Sequence, residues 1–183
     1  MIYQRDKRRS IENLPKLIQT IKTLLDEQNI NGTKPWVVET VTHSELRSPC
    51  ELVNLVRHAT VLLTPHGFQS ILLLFQPPAS TLIEIHPYMY YMPFYFGTVQ
   101  SDLRSHINLP RSYFAGKSQS HSALLSALQF MNIITERSCG RLPLCRYFSR
   151  LQNVTVSDSF IKRFVTHLFF FRAFSKGLLK KKD

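Results

Sequence analysis

The sequence predicts an α/β domain: a parallel sheet with helices packed on both of its faces. Two observations carry that expectation. Strand-like and helix-like segments alternate through the first half of the chain, the pattern of successive strand–helix–strand crossovers. The stretch from Thr60 to Pro87, TVLLTPHGFQSILLLFQPPASTLIEIHP, holds one such unit in compact form. It contains an apolar run, a His66-Gly67 turn, a second apolar run, a Pro77-Pro78 break, and a strand carrying Glu84 and followed by His86. In sheets of this kind a phosphate-bearing ligand is held at the carboxyl ends of the strands, on the turn that follows a buried strand.

The elements follow in order. Ile2-Tyr3 reads as a short strand, with a basic turn behind it from Arg5 to Arg9. Asn13-Leu14-Pro15 reads as a helix start, Asn13 as cap and the proline in the first turn. Leu14, Leu17, Ile18, Ile21, Leu24 and Leu25 recur at helical spacing, so the helix is amphipathic and packs on the sheet. Asn31-Gly32 is expected to end it. Trp36 to Thr42 is β-branched and strand-like. Ser48-Pro49-Cys50-Glu51 is a capping box with proline at the first helical position, opening a helix to about Arg57. Thr60 to Thr64 is a continuous apolar strand of the type buried in a parallel sheet. Ser70 to Phe75 is expected to be helix, Pro77-Pro78 stops it, and Thr81 to Ile85 is the next strand.

After Pro87 the texture changes. Tyr88 to Gly97, YMYYMPFYFG, is aromatic and irregular: either a hydrophobic loop over the end of the sheet or a lid that stacks on a sugar. Ser120 to Arg137 reads as a helix and Ser159 to Lys176 as a basic amphipathic helix. Lys180-Lys181-Lys182 reads as a frayed tail. These segments divide the chain into a Rossmann-like lobe, residues 1–150, and a basic C-terminal helix and tail, residues 151–183.

The 183 residues suffice for one domain with its own core, and 44% hydrophobic and 11% aromatic content exclude a disordered chain. The formal charge of +11 and an isoelectric point of about 9.9 point to an anionic partner: phosphate, nucleic acid or a lipid surface. Roughly half of the lysines and arginines follow Glu136. Cys50, Cys139 and Cys145 lack metal-site spacing; Cys139 and Cys145 are either a local disulfide or a pair of buried thiols. Asn31-Gly32-Thr33 and Asn153-Val154-Thr155 are glycosylation sequons that permit a secretory location. No signal peptide opens the chain, and no apolar run is long enough to span a bilayer. Phe160 to Leu179 is interrupted by Lys162, Arg163, His167, Arg172 and Lys176.

Several residues are candidates for a site. Gly67 lets the backbone approach a ligand closely and take up positive φ, and the helix behind it would aim its amides at the same spot. His66 would donate to a phosphate oxygen or lie beside a reacting sugar; the alternative is a tight turn with a packed histidine. Glu84, on a parallel strand, either accepts hydrogen bonds from a ribose diol or pairs with a nearby Arg or His. Arg5, Lys7, Arg8 and Arg9 lie beyond the first strand, where guanidinium groups grip phosphate bidentately; Lys7 is expected to face solvent. There is no Asp-x-Asp and the histidines are scattered, so no metal cluster is expected. The nucleophile elbow of α/β-hydrolases and a phosphate loop ending in Gly-Lys-Ser/Thr are both missing.

Three segments together resemble glycosyltransferase family 61, whose members include O-linked N-acetylglucosaminyltransferases and xylan glycosyltransferases. YQRDKRRSIEN resembles the family's strand-then-arginine segment. VLLTPHGFQSILLLFQPPAS resembles its His-Gly segment ending in Pro-Pro, and TLIEIHP the strand that closes it. The likeness covers roughly Ile2 to Pro87. It implies the donor-binding, C-terminal lobe of a B-type glycosyltransferase, an inverting enzyme that moves a sugar from a nucleotide diphosphate to a hydroxyl of a glycan or glycoprotein. Arg5, Arg9, His66 and Gly67 would then face the diphosphate and Glu84 the nucleoside, with no metal or other cofactor. The implied location is the lumen of the Golgi or endoplasmic reticulum, and the chain would be a fragment lacking its N-terminal lobe, so no catalytic base is assigned. The likeness departs at Phe68, Gln69 and Ser70, where the family carries a small Ala-Gly-Leu run, and at Leu72, where a polar residue is common. Bulky Phe68 is expected to reshape or occlude the donor pocket. The alternative is a non-catalytic anion-binding or interaction protein, meeting nucleic acid or a membrane surface through the basic C-terminal region; on the transferase reading only the membrane contact is retained.

Overall fold

The computed structural model describes residues 1–28, 36–43, 47–77, 80–90, 112–118 and 130–175. Among the described residues five strands form one sheet: β1 (Ile2–Gln4), β2 (Thr40–Thr42), β3 (Val61–Pro65), β4 (Thr81–His86) and β5 (Ser112–Lys117). They lie in the order β2-β1-β3-β4-β5, and every neighbouring pair is parallel. This is a doubly wound, Rossmann-like α/β arrangement, in the order whose chain reversal falls between β1 and β3.

Alternation along the strands sorts two cores. Ile2, Leu63, Ile83 and Ile85 face one side, against Leu17, Ile21 and Leu25 of α1 (Leu14–Gln28) and Ile161, Phe164 and Val165 of the last helix. Tyr3, Leu62 and Leu82 face the other, against Val56 of α2 (Pro49–Val56) and Leu72 and Leu73 of a 3-10 helix, Phe68–Phe75. Successive strand residues point to opposite faces, so a sheet buried on both sides reads as the unbroken apolar runs seen in β3 and β4. The capping box of α2 forms as expected, with the Glu51 amide donating to Ser48 Oγ and the Ser48 amide to the Glu51 carboxylate.

Several expectations are corrected. The helix after Gly67 is a 3-10 helix that starts at Phe68. Eight residues rise about 12 Å as an α-helix and about 16 Å as a 3-10 helix. The longer rise matches the return along a five-residue strand at about 3.3 Å per residue. Asn13 does not cap α1 with its side chain: its Nδ2 donates to the Val156 carbonyl at 2.8 Å and its Oδ1 accepts from the Val156 amide at 3.1 Å. Only Thr40–Thr42 of the expected Trp36–Thr42 strand pairs with β1, while Trp36 and Val38 pack on the α1 core from irregular backbone. The helix expected through Arg137 is interrupted: residues 131–135 turn and extend, and Thr135 caps a new helix, α3 (Glu136–Arg141). Helix α4 (Pro143–Leu151) follows, joined to α3 by a Cys139–Cys145 disulfide. The aromatic segment begins with Tyr88–Tyr90, in which Met89 and Tyr90 are buried.

The last helix, α5 (Asp158–Ser175), lies against α1. Val154 and Val156, just ahead of it, are buried in the same core. The Val154 amide donates to the Ser10 carbonyl at 2.9 Å, and its carbonyl accepts from the Glu12 amide at 3.0 Å. The Asn153 side chain bonds Ser10 and Glu12. The C-terminal segment is thus stitched into the lobe that the sequence divides from it at residue 150. Lys162 and Arg163 are exposed while Ile161, Phe164 and Val165 are buried, so this part of α5 turns its apolar side to the core. Among the described residues no helix is long and apolar enough to cross a membrane. The expected helix end at Asn31-Gly32, the first sequon, Pro78, residues 91–97 and 120–129, and the Lys180–Lys182 tail lie outside the described residues.

Candidate anion-binding site

The site forms where β1 and β3 end side by side. The Gln4 side chain shapes the basic turn: its Nε2 donates to the Ile11 carbonyl at 3.1 Å and its Oε1 accepts from the Ile11 amide at 2.8 Å. That pinch closes residues 5–10 into a loop. Arg9 sits in the left-handed region at φ 60°, a conformation that costs a residue with a Cβ about 1 kcal/mol. Strain of this sort gathers at ligand clamps.

Two of the four basic residues turn inward. Arg9 Nη1 donates to the His66 carbonyl at 2.8 Å and Arg5 Nη1 to Gln69 Oε1 at 3.2 Å. Lys7 and Arg8 are exposed. Arg5 and Arg9 share a cleft of about 420 Å³ with Tyr3, His43, His66, Gly67, Gln69, Tyr90 and Arg150, among others. Burial, then Arg5 and Arg150, pulls Arg9 below its ordinary value to about 10, and burial also lowers Arg5. Both remain cationic at neutral pH. The Tyr3 hydroxyl, 2.9 Å from His43 Nδ1, is pushed above its ordinary 10 by burial and stays a neutral phenol.

Gly67 is needed for space rather than for its dihedral angles. Its backbone is extended, φ 160° and ψ −171°, so the expected positive-φ turn is not what selects glycine. A Cβ there would lie 2.6 Å from Gln69 Oε1, 2.9 Å from Arg5 Nη1 and 3.1 Å from Arg9 Nη1. The guanidinium groups rest on the bare backbone of the turn.

Glu84 has a different place from the one expected at a ribose. It is 1% exposed. Its Oε1 accepts from His66 Nδ1 at 2.8 Å and from the Gly67 amide at 3.3 Å, and Oε2 lies 3.7 Å from His86 Nε2. The pairing alternative holds, and an amide expected to face ligand is directed at Glu84. His66 stacks on His86 with centroids 4.5 Å apart and meets the Tyr90 ring at 4.9 Å. Two histidines that look scattered in sequence thus converge with Glu84, their ligand-type atoms within 4.8 Å of one another. The His66–Glu84 hydrogen bond and the ring stack account for that convergence.

The structure therefore brings Arg5, Arg9, His66 and Gly67 to one cleft, with Glu84 buried behind His66. Sequence reasoning missed Gln69 and Arg150 as lining residues, while Tyr90 comes from the aromatic segment read as a loop or a lid. Gln69 was legible as one of two polar residues that open FQSILLLF, the other being Ser70; Arg150 carries no local signal. Of the departures from the family pattern, Gln69 orients Arg5 and Leu72 is buried against α2. The Phe68 and Ser70 side chains lie outside the described residues. No protein-family model matches the chain, and neither does any curated protein.

Proposed function

We propose that the chain is the donor-binding lobe of an inverting glycosyltransferase of the family 61 type, gripping the diphosphate of a nucleotide sugar in the cleft between β1 and β3. The observation that carries this reading is the arrival of Arg5 and Arg9 from the end of β1 over Gly67 at the end of β3. In a doubly wound sheet the ligand crevice opens at that reversal point, and planar guanidinium forks match phosphate oxygens. As the sugar leaves, negative charge grows on the diphosphate, and fixed cations stabilise it without a bound metal. The base that takes the proton from the acceptor hydroxyl comes from the other lobe. On α4, Leu144, Tyr147 and Phe148 are exposed beside Arg150, an apolar surface that supports a contact with such a lobe. The Cys139–Cys145 disulfide supports a Golgi or endoplasmic reticulum lumen, where oxidising conditions preserve it.

Thermal melting tests the reading. Uridine diphosphate, or another nucleoside diphosphate, raises the melting temperature by several degrees at about a hundred times its dissociation constant, and RNA and anionic vesicles do not. A rise with RNA or vesicles alone replaces the transferase reading with the non-catalytic anion binder.

A further inference from the structure

A third guanidinium group reaches the cleft from a helix distant in sequence. Arg150 stands in the last turn of α4 and lines the same cleft as Arg5 and Arg9. Among the described residues lining that cleft none is acidic. Three guanidinium groups converge, and two of them pull Arg9 downward by proximity after burial has done so. Such a gathering of like charge is relieved most by an anion that carries more negative charge over a longer span, which favours a diphosphate over a single phosphate.

The route by which Arg150 arrives is specific. Helices α3 and α4 form a hairpin closed by the Cys139–Cys145 disulfide, with Cα atoms 5.1 Å apart. Ser149, next to Arg150, is buried; its Oγ donates to the Cys145 carbonyl at 2.8 Å and lies 3.2 Å from Cys139 Sγ. Gln152 Nε2 donates to the Tyr88 carbonyl at 3.2 Å, fixing the end of α4 to the chain just past β4. Among the described residues, Met89, Ile134 and Cys139 are the buried members of the apolar cluster beneath this hairpin. The covalent bond closes α3 on α4 next to Ser149 and so takes part in holding the end of α4 in place.

We propose that Arg150 is the third diphosphate-binding arm of the cleft and that the Cys139–Cys145 disulfide is the device that positions it. The inference rests on the donor-site reading above. A dithiol reductant transfers two electrons and two protons to the bond, leaving two cysteine thiols and a cyclic disulfide. The hairpin then loosens and Arg150 leaves the cleft.

The test is calorimetric titration of the full oxidised chain with inorganic pyrophosphate and, separately, orthophosphate. Arg150→Ala weakens pyrophosphate binding about tenfold or more, as expected for loss of a charge-assisted contact, and changes orthophosphate binding less. Arg150→Lys recovers part of the affinity. The Cys139→Ser/Cys145→Ser chain shows a loss similar to that of Arg150→Ala, and the triple variant loses no more than either, because both changes act through one contact. Far-UV circular dichroism confirms that the strands and α1 persist in each variant. Pyrophosphate affinity within twofold of wild type in Arg150→Ala overturns the role of Arg150. Losses that add in the triple variant overturn the positioning role of the disulfide. If the unmodified chain binds no pyrophosphate, the donor-site reading falls, and this proposal with it.

Discussion

The Glu84 carboxylate holds the His66 imidazole from the neighbouring strand, Oε1 to Nδ1 at 2.8 Å, with both side chains almost wholly buried. The same oxygen receives the Gly67 amide, so one carboxylate sets both halves of the turn on which the arginines rest.

Glu84→Ala leaves a buried imidazole N–H and a backbone amide without this acceptor. Loss of a buried carboxylate acceptor that leaves its donors unsatisfied costs about 3 kcal/mol, and urea unfolding measures it. Glu84→Gln recovers part of that loss, since its carboxamide oxygen accepts the same bond without the charge. Urea midpoints for Glu84→Ala equal to wild type would show that the pair does not hold the turn.

Gly67→Ala separates fold from function. The added methyl meets the tips of Gln69 and Arg5, which are flexible and can swing aside. The chain therefore keeps its fold, with a stability loss of about 1 kcal/mol or less. Diphosphate affinity falls at least about tenfold as the guanidinium groups lose their seat. A calorimetric titration that finds unchanged affinity would show that the arginines do not work from this position.

Helix α5 belongs to the lobe. Phe164→Ala removes a buried ring from the core beside α1 and lowers stability by about 3 kcal/mol. A chain ending at Leu151 loses Val154, Val156, Ile161, Phe164 and Val165 together and fails to fold. A cooperative melt from that shortened chain would show that the sheet stands without its C-terminal segment.

The cap of α2 titrates. The Ser48 amide, then the Ser48 hydroxyl, holds the Glu51 carboxyl below its ordinary value of 4.5. A carboxylate with a depressed folded-state pKa contributes stability that is fully present above its ordinary value and lost as pH falls through the lowered one. The stability gap between wild type and Glu51→Gln accordingly shrinks on acidification from neutral pH to below that lowered value. A gap constant over that range, in urea unfolding at several pH values, would rule out the cap as its source.

The parts of the fold visible in the sequence are those set by local pattern. The apolar runs of β3 and β4, the Ser48 cap and the α1 stripe each determine their own conformation over a few residues, and Arg5, Arg9, His66 and Gly67 are legible because they lie in the turns that follow strands. What stays hidden depends on partners distant in the chain. Asn13 has the chemistry of a cap, yet Val156 offers both an amide and a carbonyl and takes its side chain. Strand β5, a mixture of aromatic, small and charged residues, is drawn into the sheet by the exposed edge of β4. Arg150 owes its place to a disulfide, and no periodicity announces that. Glu84 illustrates a further limit: a carboxylate on such a strand suits ligand and neighbour equally, and burial beside His66 decides between them.

The pairing of Ser10 and Glu12 with Val154 ties the basic loop to a segment translated much later; the Ser10–Asn153 bond spans 143 residues of sequence. Contacts so remote close late, because a large loop must be ordered before they repay its entropy. On the ribosome the arginine loop therefore has no stable anchor until Val154 has emerged, and a nascent chain stalled before that residue carries all five described strands without a finished cleft.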